Sequence, residues 1–440
     1  MAIFWLSIVS YMQELKQKTH NALRWSEKYT KTDMIYLARG GFWLSLNQIS
    51  GLILSFVVAI VFANTISKDA YGYYKYLLSL AGLIGAFTLT GLGTAIVRSV
   101  ANGKEYLARR ATRISLTWSI PMVVLGLAGS FYYLLNGDGK LALGVFIITI
   151  FQPLLSSTSY YNSFLNGRKE YRILSALQVI RNTVPATLIL VTLLVTDNVL
   201  YILFAYFFSN TVVSFALNRH VKKKFPANEQ KDDISYGYAK KLSLINFLSL
   251  ISQRVDSLLI FHFIGAGPLA IYAFASALPD QIIGLFKNIY TLSLPKFSSG
   301  DTEQLKRQIV HKTVIFSLFS LFIAILYSIV TPILFRIFFP AYTDSIRFSQ
   351  IISLNIVLSA AATFVTAFFD SQAEARNKTI IITVSNVVKV VLMFLFVQMW
   401  GLWGIIISEL IARTISILIA FYLINRNKKQ VIGTVVPTTC

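Results

Sequence analysis

Cysteine is all but missing from this 440-residue chain: Cys440, the last residue, is the only one. No internal disulfide is possible, so no oxidising compartment is implied. The lone terminal Cys also fails as a prenylation signal, which needs three residues after it. Charge is scarce as well, at 13%, whereas soluble proteins average about a quarter. A chain of this length would suggest two to four globular domains, but a water-facing surface for them needs roughly twice the charge present. Its solvent is therefore mostly lipid. With four histidines, no metal-ligand spacing and no nucleotide-binding glycine motif, neither a metal nor a cofactor is expected, and ATP is not used directly.

What the chain has instead is long apolar runs. A membrane-spanning helix takes about 20 apolar residues at 1.5 Å rise each, and twelve stretches qualify: 40 to 64, 74 to 97, 114 to 135, 141 to 165, 173 to 196 and 198 to 218, then 242 to 265, 269 to 294, 313 to 335, 348 to 369, 379 to 399 and 401 to 424. Gly40 to Ser67 carries no charge at all. An outer-membrane barrel would show short alternating segments, so the expectation is an all-α polytopic membrane protein.

The 40 Lys and Arg against 19 Asp and Glu would hint at nucleic acid if they clustered on polar domains. They do not. With the N-terminus inside, thirty fall in cytoplasmic segments, five within spans, and only Lys68, Lys75, Lys140, Arg336 and Arg347 on the opposite side. The positive-inside rule absorbs the excess, excluding a nucleic-acid role and placing both termini in the cytoplasm. Residues 1 to 39 form an N-terminal extension, whose Lys16, Lys18, Arg24 and Lys28 among Leu15, Leu23 and Trp25 fit a helix in the interface or a poorly ordered tail.

The polar stretch 219 to 241 divides the spans six and six, giving bundles 40 to 218 and 242 to 424, a cytoplasmic linker between them and a cytoplasmic tail, 425 to 440. Six is even, so both halves enter from one face as parallel repeats. The segment "LLIFHFIGAGPLAIYAFASAL" from Leu258 resembles "VVAIVFANTISKDAYGYYKYLLSL" from Val57, with Phe263 opposite Phe62 and Tyr272 opposite Tyr73.

These segments, with "ISKDAYGYYKY" ending the first span, "GLGTAIVR" at the cytoplasmic end of the second and "RVDSLLIFHFIGAGPLAIYAFASA" in the seventh, resemble the polysaccharide-export (O-antigen, Wzx-type) flippases. That family belongs to the superfamily of multidrug extruders and lipid II flippases. The resemblance covers roughly residues 35 to 425. Ala270 departs from it, standing where the family often has Gly, and twelve spans rather than fourteen favour the polysaccharide branch. It implies a MATE-like fold with two parallel six-helix bundles. It also implies transfer of oligosaccharide on polyprenyl pyrophosphate (an O-antigen, capsule or exopolysaccharide repeat unit) to the outer leaflet of a bacterial inner membrane. Lipid-linked oligosaccharide and membrane lipids would be the partners, with a polysaccharide polymerase and chain-length regulators acting on the product.

Ionisable residues inside spans cost about 2.5–3.5 kcal/mol each at a helix centre and are functional candidates by default. The first half has Arg181, plus Arg98 at a helix end. The second has Arg254, Asp256, Asp280, Lys287, Lys389, Glu409 and Arg413. Five cations suit an anionic head, and guanidinium forks match phosphate oxygens. Arg181, Arg254, Lys287, Lys389 and Arg413 are therefore candidate cavity cations, with Asn47 and Gln48 as candidate sugar contacts. Asp256 and Asp280 are candidates for ion coupling. The competing reading is pairing: Arg254 with Asp280 at equal depth, and Glu409 with Arg413 or Lys389. Tyr160 and Tyr161 in "SSTSYYNSF" could stack on sugars or anchor at the interface. Pro121, Pro153, Pro185 and Pro279 permit kinks, and the lone His262 reads as packing. Two rivals remain. A cation-coupled drug extruder would want a carboxylate-dominated cavity, and a membrane polymerase or glycosyltransferase would want a large outer loop, which the spacing does not leave.

Overall fold

The computed structural model describes residues 34–230, 233–298, 302–371 and 375–432, and all regular structure among them is helical. The first half comprises α1 (Met34–Thr65), α2 (Lys68–Gly85), α3 (Leu92–Ala101), α4 (Tyr106–Trp118), α5 (Ile120–Leu135), α6 (Gly139–Thr158), α7 (Tyr161–Gly167), α8 (Tyr171–Val195) and α9 (Val199–Lys224). The second comprises α10 (Asp233–Ser252), α11 (Val255–Phe263), α12 (Ala266–Ser298), α13 (Thr302–Phe338), a 3-10 turn (Pro340–Tyr342), α14 (Ser345–Ile352), α15 (Leu354–Ser371), α16 (Ala375–Trp400) and α17 (Leu402–Ile432). Within the first bundle α1 packs on α8 and α6 on α5 and α9; within the second α16 packs on α17 and α15 on α12 and α13. Residues 1–33, most of the N-terminal extension, and 433–440 of the tail lie outside the described residues.

Eleven helical stretches among the described residues are long and apolar enough to cross a membrane, and they coincide with eleven of the twelve expected spans. The expected second span, 74 to 97, is broken instead. Helix α2 ends at Gly85, where Ala86 and Phe87 donate to Leu83 and Ile84 in i to i−3 bonds, and Thr88 Oγ1 donates to the Gly85 carbonyl at 2.8 Å. Threonine hydroxyls compete with the backbone ladder in this way, so the pass resumes only at α3.

The expected linker, 219 to 241, is mostly helical. Helix α9 continues through Lys222, Lys223 and Lys224, whose charges suit a helix C-terminus, and α10 starts at Asp233. Residues 225–230 between them fold back onto the first bundle. Buried Glu105 takes a bidentate pair from Arg168 at 2.6 and 2.7 Å and accepts from Asn228 N at 2.9 Å, while Arg168 also donates to the Pro226 carbonyl at 3.0 Å. These contacts mark the basic end of the molecule.

The opposite, lysine-poor end is where the halves close on each other. An aromatic cluster spans them, with Tyr71 4.7 Å from Phe274 and Phe274 4.0 Å from Tyr342 between ring centroids. Lys68 pairs with Asp344 at 2.8 Å, and Asn64 donates to the Phe338 carbonyl. Gly72 makes the closure possible, since a Cβ there would stand 1.9 Å from the Ala266 carbonyl oxygen. Lipid gives no hydrophobic drive between helices, so this seal rests on close packing and aromatic contact, about 0.5–1.5 kcal/mol per ring pair. Apolar side chains such as Leu194, Ile329 and Met399 stay exposed on the outside, the surface that lipid would cover.

Candidate functional site

The seventh pass is also broken. Arg254 N donates to Ile251 O, an i to i−3 turn that separates α10 from α11 and makes Arg254 the N-cap residue of α11. Its guanidinium crosses the face of α2 at Gly82, where a Cβ would meet Nε at 2.6 Å and Cδ at 3.1 Å. Arg254 is exposed, and its guanidinium has no hydrogen-bonded or ion-paired partner among the described residues. Two further cations gather nearby: Arg181 on α8, Lys75 on α2 and Arg254 all lie within electrostatic range of the Tyr206 hydroxyl on α9. Lys75 sits 5.3 Å over the Tyr71 ring, and Arg181 is a polar neighbour of the buried Tyr161 hydroxyl. Three cations from both halves thus share one region, Arg254 reaching it from the turn between α10 and α11.

A second polar group is built within the other half. Asp256 on α11 accepts from Ser257 N at 2.6 Å and from the Tyr272 hydroxyl at 3.1 Å. Arg413 on α17 pairs with Glu409 one turn earlier at 2.8 Å and donates to Ser359 Oγ at 2.5 Å. Exposed Asp280 on α12 lies in the field of Glu409, Arg413, Asp256 and Lys389. Three carboxylates and two cations share this region, one negative charge in excess.

The sequence candidates therefore divide. Arg181 and Arg254 come together. Lys389 and Arg413 join the carboxylates instead, Arg413 through the i, i+4 pairing with Glu409, because that geometry is available along one helix. The alternative pair Arg254–Asp280 does not form among the described residues. Gln48 is half-buried on α1 and engaged by neighbouring groups. The side chains of Asn47 and Lys287 lie outside the described residues. Lys75, Tyr206 and Tyr272 were not singled out from sequence as site residues: Lys75 reads there as a charge of the lysine-poor side, and a tyrosine in an apolar run gives no signal of its own. Tyr160 and Tyr161 stand over a cavity at the basic end, and the hydroxyls of Ser157, Thr158 and Ser159 bond back to their own helix. Among the described residues no three His, Cys, Asp or Glu side chains are grouped so as to hold a metal.

Residues 37–301 match the family model described as polysaccharide biosynthesis protein. The chain belongs to that family. Its fold is shared with solved multidrug and lipid II transporters. An inward-facing multidrug resistance MATE transporter superposes with a TM-score of 0.61 at 14% identity, over 88% of this chain and 96% of the other. The lipid II flippase MurJ, in an inward closed conformation, gives 0.61 at 14% identity over 88% and 87%. An uncharacterized membrane protein of Methanocaldococcus jannaschii is 21% identical over 90% of this chain and all of its own length. This family member is thus a multi-pass membrane protein of the transporter fold.

Proposed function

We propose that the protein is a flippase for oligosaccharide carried on polyprenyl pyrophosphate, moving an O-antigen, capsule or exopolysaccharide repeat unit from the cytoplasmic to the outer leaflet of the inner membrane. Both termini are then cytoplasmic, with the basic end inside. The observation that carries this reading is the partnerless Arg254 guanidinium held at the junction of the halves, with Arg181 and Lys75 beside it. Cations gathered without carboxylates to neutralise them suit a pyrophosphate, and guanidinium is the best-matched donor. A polymerase and chain-length regulators would take up the product.

Arg254→Ala tests this in proteoliposomes carrying lipid-linked oligosaccharide. Flipping should fall at least tenfold at normal protein level, and Arg254→Lys should keep part of it. Normal flipping by Arg254→Ala refutes the assignment.

One observation favours a second element. The carboxylate excess around Asp256, Asp280 and Glu409 offers a place for a proton or sodium ion, so transport is coupled to an ion gradient through Asp256 and Asp280. The same feature is what a cation-coupled multidrug extruder would use. Uptake of a cationic dye, with no oligosaccharide flipping, would favour the extruder.

A further inference from the structure

We propose that the cavity at the basic end of the first bundle is a binding site for a phosphate-bearing small ligand, separate from the cations at the junction of the halves. The cavity has a volume of about 380 Å³ and is walled by α4, the α6–α7 turn, the end of α9 and the returning linker. That volume is in the range of small-ligand pockets and too small for an oligosaccharide repeat unit on its lipid.

Its chemistry is donor-rich. Tyr161 and Asn218 line it and are only 2% and 8% exposed. The Tyr161 hydroxyl has Asn162 and Arg181 as polar neighbours but neither in good hydrogen-bond geometry, and the Asn218 side chain has no hydrogen-bond partner among the described residues. Native proteins rarely leave such groups unpaired when buried. Lys222 lines the same space, its ammonium meeting only the neutral Thr112 hydroxyl at 2.9 Å. Arg109 stands at the edge, paired with the exposed Glu229. No carboxylate lines the cavity, so an ammonium, an amide and a phenol converge with no carboxylate among them, the Arg109 guanidinium at the edge being held by Glu229. An oxyanion satisfies that set.

The roof gives the site a consequence. Phe225, Pro226 and Ala227 close it, and they begin the connection between the two bundles, held by Arg168 and Glu105. Tyr161 also neighbours Arg181. A ligand bridging Lys222, Asn218 and Tyr161 therefore stiffens the linker root, with Tyr161 standing between it and Arg181 of the separate cationic group, which makes occupancy a regulator of exchange between states.

The full chain in detergent is tested by native mass spectrometry with three probes: dihexanoyl phosphatidylglycerol, glycerol 3-phosphate and neutral glycerol. The expected result is one saturable phosphate probe per chain, weakened at least tenfold by Lys222→Gln and by Asn218→Leu, with folding checked by melting and gel filtration. Should Asn218→Leu fail to fold, Thr112→Ala takes its place beside Lys222→Gln. Binding of the lipid alone identifies a headgroup from the membrane, whereas binding of glycerol 3-phosphate as well identifies a soluble phosphate ester. Absence of saturable binding, equal binding by the folded variants, or equal binding of glycerol overturns the proposal.

Discussion

Gly82 offers a way to move Arg254 without touching it. A methyl group at position 82 would lie 2.6 Å from Nε and 3.1 Å from Cδ of Arg254, closer than real contacts allow, so the guanidinium must swing aside. The obstacle is the end of a flexible, exposed side chain, and the swing costs little. Alanine also favours helix over glycine by about 1 kcal/mol, so Gly82→Ala should melt at or slightly above the wild-type temperature. The loss should appear in transport. A hydrogen bond to a charged group contributes about 1.5–3 kcal/mol, which corresponds to roughly 10- to 150-fold in kcat/KM at 1.4 kcal/mol per decade. Flipping in proteoliposomes should fall by that amount in Gly82→Ala and in Arg254→Ala, and the double variant should be no slower than Arg254→Ala alone, because both act on one contact. Additive losses, or full activity in Gly82→Ala, would refute the claim that Arg254 is placed by α2.

Three further outcomes are expected. Gly72→Val puts side-chain atoms into the Ala266 backbone, which cannot yield as a side chain can. The lysine-poor end should then stay open, and a cysteine introduced at Lys75 should react faster with a membrane-impermeant maleimide than in the Gly72 background. Glu105→Gln removes the charge that holds Arg168 and the linker, at a cost of about 1–3 kcal/mol by melting, since Arg168 is partly solvated. The Arg168 hydrogen bonds hold the Glu105 carboxyl below its usual range. The stabilisation is therefore complete above about pH 4.5 and disappears as pH falls through the lowered folded-state value, so the melting difference between wild type and Glu105→Gln should shrink in acid and persist at neutral pH. An alkaline-phosphatase fusion after Lys224 should be inactive, and an active one would reverse the orientation.

The helices were legible in the sequence because lipid imposes one length and one composition on every pass. The breaks were not. Nothing in "GAFTLTGLGT" separates a kinked span from two helices until Thr88 caps the Gly85 carbonyl, and the turn at Arg254 depends on α2 presenting a glycine opposite it. The site followed the same division. Arg254 and Arg181 were visible as charges in apolar runs, but their coming together depends on packing between halves about seventy residues apart. Lys75 was read as a charge of the lysine-poor side because it is the second residue of the expected span, at the membrane edge, whereas α2 begins at Lys68 and places Lys75 two turns into the helix. Arg413 was offered both as a cavity cation and as a partner of Glu409, and the i, i+4 spacing that argued for the pair is the contact present.

The two polar groups differ in a way that bears on mechanism. The cations come from α2, α8 and the α10–α11 turn, so their spacing changes whenever the halves move relative to each other. The carboxylates lie on α11, α12 and α17, inside one half, and keep their neighbours through such a motion. A ligand shifts an equilibrium between states only as far as it binds them differently, and only the first group has that property by construction. Asp256 ties the groups together, because α11 begins at the turn that carries Arg254: two residues separate a carboxylate held by Tyr272 from a guanidinium lying across Gly82. The Tyr272 contact of that acid sits at the root of the same helix that Arg254 caps, so the two polar groups are joined through a single turn of backbone, and loss of the Tyr272 contact by Tyr272→Phe should disturb the aim of Arg254.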